Sequence, residues 1–239
     1  MSLRNRINRM INPHTYSSEA YLAYLKKCGV QIGEHCHVFS PKSVNLDVAR
    51  PYLLKIGNEV VITAGVTILT HDYSHTVIRK KYGVQIGDAQ GVEIGNNVFI
   101  GRNAVILMGT TIGNDVIIGA HAVVRGKILD NSVVAGNPAT VVCTLEQYYQ
   151  KWVDKEWERA VQSVRLCRER LKRDPSIEEM GSAYAWMYLP RTQESIEQYP
   201  AFFSLPGENR ELLIKEFLAS KPKFNSYEEF LNAVGDWEA

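Results

Sequence analysis

The chain has 239 residues, 45% of them hydrophobic and 22% charged, with a formal net charge of +1 at pH 7. That balance suits a soluble globular protein with a sizeable core and gives no overall pull towards nucleic acid or an anionic membrane. No apolar run approaches the length of a membrane span, and residues 1–16 (MSLRNRINRMINPHTY) lack the apolar centre of a signal peptide. Cys28, Cys36, Cys143 and Cys167 form no CxxC pair, so free thiols in the cytoplasm are expected and a structural zinc is not. Charge is divided along the chain. Residues 1–143 hold 14 Lys/Arg against 9 Asp/Glu, and residues 144–239 hold 13 against 17, balances of +5 and −4.

Residues 18–28, SEAYLAYLKKC, predict a short helix opened by a serine cap and placed to cover unpaired strand edges at the start of a β-rich segment. In that segment aliphatic residues recur every six positions: Ile32, Val38, Val44, then Ile56, Ile62, Ile68, and later Ile94, Ile100, Ile106, Ile112, Ile118, Val124. Glycine often follows directly, as at Gly57, Gly95 and Gly113, and a small or β-branched residue often comes four later, as at Val60, Val98 and Ala104. Positions six apart lie about 240° apart around a helix, and strand alternation repeats every two, so neither explains the step. A stacked solenoid does. Six residues make a short strand and a turn, and three such units close a triangular coil of about 18 residues. Successive coils stack about 4.8 Å apart through parallel backbone hydrogen bonds. Glycine, Asn and Asp in IGNEV, IGNNV and IGNDV suit corners with unusual dihedrals.

Two departures interrupt the step. Val44 to Ile56 spans two hexads with Arg50 at the intermediate inward position, so DVARPY is expected to bulge out, because an isolated buried arginine is expensive. Between Ile68 and Ile94 the chain uses 26 residues, so an excursion, about residues 70–91, leaves near Thr70 and returns before Val92. It opens with LTHDYSHTVIRKKYG. His71, three residues past an aliphatic landmark, is well placed for a general base. Asp72 is a candidate to orient its ring. Tyr73 and His75 are candidates for substrate contact, and Arg79, Lys80 and Lys81 for a phosphate or carboxylated sugar or a solvated surface. His35 and His71, 36 residues apart, would share a face about 10 Å apart, and His121 would lie on another, so no metal site is expected.

After Val142 the pattern turns helical, in TLEQYYQKWVDKEWERAVQSVRLCRERLKRD, NRELLIKEFLAS and SYEEFLNAVG, divided by Pro175, Pro190, Pro200, Pro206 and Pro222. This aromatic tail is expected to pack against the coils or a neighbouring subunit. The domain reading is a 1–29 helical cap, a 30–142 solenoid and a 143–239 α-helical region.

The stretches IGNEVVITAGVTILTHDYSH, IGNNVFIGRNAVILMGTTIGNDVIIGAHAVV and SVVAGNPATVV, all within residues 30–142, resemble the hexapeptide-repeat acyltransferases. The likeness is greatest to bacterial maltose, galactoside and exopolysaccharide O-acetyltransferases. The resemblance implies an all-β core that is a left-handed parallel β-helix with triangular coils, a protruding loop and an appended α-helical C-terminal region. It implies acetyl-CoA as acyl donor, a sugar or saccharide hydroxyl as acceptor, and a homotrimer with active sites between subunits. By the same resemblance His71 is the catalytic base, and Gly101, Arg102, Ala120 and the vicinity of Arg125 line up with cofactor-contact positions. Arg125 or Lys127 compensates at a phosphate for the usual lysine, whose position is Gly126. Pro138 lies in AGNPATVV, which resembles the segment bordering the nucleotide or a structural cap. The chain departs from the pattern where RGK at 125–127 replaces TKD, where Thr140 replaces a basic residue, and where Phe99 and Arg102 replace tryptophan and serine. Alternatives are N-acetylation of a nucleotide-linked amino sugar, serine acetylation, and a noncatalytic scaffold or binding module.

Overall fold

The structure, a computed structural model, describes residues 10–235. The leader-peptide reading of 1–16, the start of the 1–29 cap and the end of the 143–239 region lie partly outside those residues. Two compact units divide the chain, one up to Tyr148 and one from Tyr149.

The first unit opens with α1 (Ser18–Cys28), capped by the Ser17 side chain, which accepts the Ala20 N–H at 3.2 Å. Fifteen short strands come after it. One sheet stacks β1 (Gln31–Ile32), β4 (Leu54–Ile56), β7 (Val92–Ile94), β10 (Thr111–Ile112) and β13 (Lys127–Ile128). A second stacks β2 (His37–Val38), β5 (Val61–Ile62), β8 (Val98–Ile100), β11 (Val116–Ile118), β14 (Ser132–Gly136) and β15 (Ala139–Thr144). The third stacks β3 (Asn45–Leu46), β6 (Thr67–Ile68), β9 (Val105–Ile106) and β12 (Val123–Val124). All pairings are parallel except β14 with β15. The three sheets are the faces of a triangular left-handed β-helix.

The register carries the core inward. Ile56 faces Ile94 and then Ile112, Ile62 faces Ile100 and then Ile118, and Ile68 faces Ile106 and then Val124. These side chains are at most 3% exposed, and burying each contributes about 1.5–3 kcal/mol. The small residues two positions earlier, including Val60, Ala104, Thr110 and Ala122, are buried as well.

The first coil corrects the counted phase. Leu46, not Val44, pairs with Ile68. From Val38 to Leu46 is eight residues, and from Leu46 to Ile56 is ten. The surplus of two and four adds to one hexad, so the count stays in phase although the coil is longer. Arg50 is therefore not at an inward position: it is exposed, just before the 3-10 turn Pro51–Leu53, in a segment that does leave the coil.

In the IGN corners the glycine and the residue two positions later have separate tasks. At the corners between the first and second sheets the left-handed residues are His35, Glu59, Asn97, Asp115 and Asn131, with φ of 56°, 57°, 51°, 57° and 57°. Gly57 and Gly95 instead permit close stacking: a Cβ on either would lie 2.5 Å from the carbonyl oxygen of the next coil, Gly95 or Gly113. Beside them runs a side-chain ladder. The N–H groups of Glu34, Asn58, Asn96 and Asn114 donate to the side-chain oxygens of Asn58, Asn96, Asn114 and Asp130, each at 2.8 Å.

Each end of the second sheet is covered. Tyr21 and Leu25 of α1 join the core, and Ser18 Oγ accepts the Val38 N–H at 2.9 Å. At the other end β15 folds back antiparallel on β14. The excursion holds a helix, α2 (His75–Tyr82), ended by Gly83 at φ 70°. Its base is fastened by Asp72 N–H donating to Asp88 O at 3.2 Å and Gln90 N–H to Thr70 O at 3.0 Å.

The chain then continues in α3 (Leu145–Asp154), α4 (Glu156–Leu171), α5 (Ile177–Tyr188), α6 (Gln193–Gln198), α7 (Arg210–Ala219) and α8 (Tyr227–Val234). The unit from Tyr149 has a core of its own, with Val164, Met180, Tyr188, Phe203, Phe217 and Phe230 buried together. Ser176 and Glu179 form a reciprocal capping box on α5. Arg191 donates to the carbonyls of Trp186 and Leu189, each at 2.5 Å, and to Ser220 Oγ at 2.8 Å.

Candidate active site

The site begins with a residue that sequence reasoning passed over. Asp47 follows Leu46 at a corner, and its N–H donates to Ile68 O at 3.0 Å, which sets it one coil beneath Leu69. Its Oδ1 accepts the Ala49 N–H at 3.0 Å. Its Oδ2 accepts the Thr70 N–H at 3.2 Å, the Thr70 hydroxyl at 2.5 Å, and a bond from His71 Nδ1. The Asp47 and His71 side chains are only 8% and 15% exposed. Burial works to raise the Asp47 pKa, but the bonds from Thr70, Ala49 and His71 outweigh it and hold the carboxyl at about 2. An ionised Asp47 can only accept at this contact, so it favours the His71 tautomer that carries its hydrogen on Nδ1 and donates it to the carboxylate.

Asp72, the sequence candidate for orienting an imidazole, has another role. It accepts the Ser74 N–H at 2.7 Å and the Ser74 hydroxyl at 2.8 Å, and these bonds lower its pKa. It shapes the turn into α2. Tyr73 stands edge-on to His71, ring centroids 4.6 Å apart at 89°, and is exposed. His75 opens α2 with its Nδ1 buried and without a hydrogen-bond partner.

His71, Asp47 and Tyr73 line a groove of about 530 Å³ with Asn45, Leu69, Asp72, Leu107, Met108 and Arg125. Asp47, Leu69, Leu107 and Arg125 each follow the inward residue of the third sheet in successive coils, so they rise along one edge. The edge changes from acid through two leucines to a base. Of the cofactor candidates, Arg125 alone lines this groove. Gly101, Arg102 and Ala120 lie at the corners before β9 and β12, the opposite edge of the same sheet. A Cβ on Gly101 would lie 2.5 Å from Ala120 N, so these two residues stack coil on coil. Lys127 is on β13, and Pro138 is exposed in the β14–β15 turn.

The histidine geometry departs from expectation. His35 lies at the corner between β1 and β2, whereas His71 follows β6, so the two do not share a face. The longer first coil invalidates the nominal arithmetic. His121 sits between β11 and β12, with Nε2 3.4 Å from Asn103 Nδ2. Among the described residues no cluster of three or more His, Cys, Asp or Glu is placed to hold a metal ion. None of the described helices is long and apolar enough to cross a membrane. Asp47 left one signal in the sequence: an acidic residue directly after an inward leucine. That signal is readable only when Leu46 is recognised as the inward residue.

Residues 91–126 match the family model described as bacterial transferase hexapeptide (six repeats). The chain is 47% identical over 127 residues to Protein CapG of Staphylococcus aureus, covering 53% of this chain and 73% of that protein. WbbJ of Escherichia coli (strain K12), whose name gives it provisionally as a lipopolysaccharide biosynthesis O-acetyl transferase, is 32% identical over 138 residues, 55% of this chain and 63% of that one. Nodulation protein L of Rhizobium meliloti (strain 1021) is 41% identical over 112 residues, 47% of this chain and 58% of that one. The matched region thus spans less than two thirds of these last two proteins.

Proposed function

The chain belongs to the bacterial hexapeptide-repeat transferases, and on that premise we propose that it transfers an acetyl group from acetyl-CoA to a saccharide hydroxyl with His71 as general base. The observation that carries this reading is the Asp47–His71 pair in the wall of a groove that ends at Arg125. Leu69, Leu107 and Met108 suit a pantetheine arm, and Arg125 suits a phosphate. The donor supplies a thioester carbonyl, which a hydroxyl can attack without a serine or cysteine nucleophile.

Asp47 holds the Nδ1 proton, so Nε2 of His71 is the acceptor site. Nε2 takes the proton of the saccharide hydroxyl as that oxygen bonds to the carbonyl carbon. The resulting imidazolium is stabilised by the Asp47 carboxylate. It returns the proton to sulfur as the carbon–sulfur bond breaks, leaving an acetyl ester and free coenzyme A. Base catalysis of this kind contributes about 10² to 10⁴ in rate.

A homotrimer completes the reading. Gly101, Arg102 and Ala120 stand on the far edge of the sheet whose near edge carries His71, and threefold packing would set one copy's far edge against the next copy's near edge. Lys127 and Pro138 would meet the nucleotide end. Tyr73 and His75 would contact the acceptor. Four unpaired cysteines suit a reducing cytoplasm.

The test is incubation with acetyl-CoA and a panel of saccharides, followed by mass spectrometry before and after hydroxylamine. A hydroxylamine-labile acetyl adduct is expected. A stable amide would favour the amino-sugar reading, and no acetylated product across neutral, acidic and amino sugars would defeat both.

A further inference from the structure

The two longest departures from the six-residue step occur at the same corner, after β3 and after β6, and both wall a second cavity of about 360 Å³. Arg50 comes from the first departure, and His75, Arg79 and Asp88 come from the second. His71 and Tyr73 line this cavity and the groove alike. His71 therefore stands between an apolar channel and a polar, cationic recess.

Neither guanidinium has an ion pair or side-chain hydrogen bond among the described residues. Asp88 is the lone carboxylate among the residues that line the recess, so it keeps a positive surplus. The buried, unpartnered Nδ1 of His75 adds a polar atom that a ligand can satisfy. Two arginines brought together from separate insertions repel each other unless an anion lies between them. A guanidinium fork matches the paired oxygens of a carboxylate or phosphate.

The geometry points to an acidic saccharide as acceptor, its carboxylate or phosphate held by Arg50 and Arg79 while a hydroxyl reaches Nε2 of His71. This rests on the acetyl-transfer reading for its chemistry, but the anion subsite can be measured separately. Calorimetric titration of the full chain with glucuronate, glucose 6-phosphate and glucose reads charge preference without turnover. One or both acidic sugars should bind on the order of tenfold or more tightly than glucose, and the better of the two identifies the anionic group. In the Arg50→Gln/Arg79→Gln double variant, checked for an unchanged thermal midpoint, the preference should collapse towards unity. Equal binding of all three sugars, no binding of either acidic sugar, or a preference that survives the double substitution would overturn the proposal. Charge-dependent binding without ester formation from acetyl-CoA would keep the subsite and defeat the acetyl-transfer reading instead.

Discussion

Asp47→Asn is the most searching perturbation of the candidate site, because it keeps the shape and removes the charge. The carboxylate receives four bonds: Ala49 N–H on Oδ1, and Thr70 N–H, Thr70 hydroxyl and His71 on Oδ2. An amide cannot accept at both ends. The less costly orientation points Nδ2 at the Ala49 N–H, leaving one donor unmatched at a cost of about 1–3 kcal/mol. Charge adds its own contribution. A carboxyl held at about 2 rather than 3.8 contributes at most about 2.4 kcal/mol, and solvent along the open groove reduces this to about 1–2 kcal/mol. Because the folded pKa is depressed, this stability is whole above about pH 4 and is lost as pH falls towards about 2. Urea denaturation should therefore show a wild-type advantage at pH 7 that narrows below pH ~4. Turnover, followed by thiol release from acetyl-CoA, should fall by about 10² to 10⁴, because the imidazolium loses its counter-charge. In a His71→Ala background the same substitution should cost little more, since the two residues act as a unit. Turnover within about threefold of wild type, or full additivity in that background, would refute the pairing as the source of base strength.

His71→Ala itself should lower kcat by about 10² to 10⁴ with the far-ultraviolet spectrum unchanged, because its ring is not among the buried core side chains. Gly95→Ala and Gly83→Ala separate the two tasks of glycine. The first drives a Cβ to 2.5 Å from Gly113 O and should cost about 1–3 kcal/mol or more in urea denaturation. The second meets no atom within 4 Å and should cost about 1 kcal/mol, from its φ of 70° alone. Ser176→Ala breaks the capping box on α5 and should lower the stability of the C-terminal unit by about 1 kcal/mol, read by tryptophan fluorescence.

Much of the scaffold was legible because a coil needs one inward aliphatic per face, and Ile94 to Val124 repeat that demand without a fault. The excursion, and the position of His71 at its opening, were legible for the complementary reason: a loop shows as missing repeats. Asp47 was hidden because the surplus residues around it add up to a whole hexad, so counting registers no error where the chain departs from the coil. The role of Gly57 and Gly95 was misjudged for a different reason. Close approach between coils is a relation between residues 18 to 38 apart, and local composition shows only that Cβ is missing. The helices of the tail could be read from apolar spacing and proline positions, but the core they enclose depends on pairs such as Tyr188 with Phe230, ring centroids 5.0 Å apart, which no local pattern encodes.

The serine hydroxyl that occupies the Val38 amide, and the reversed strand that occupies the opposite rim, have a consequence for solubility. A parallel stack is by construction a template: any bare terminus invites another chain to continue it, as in a fibril. Here the second sheet carries a stopper at each end, the Ser18 hydroxyl on Val38 and the reversed β15 on β14, which works against growth along the axis through that face. The lateral threefold packing proposed above would close into a finite ring, whereas association along the axis would run on as a filament.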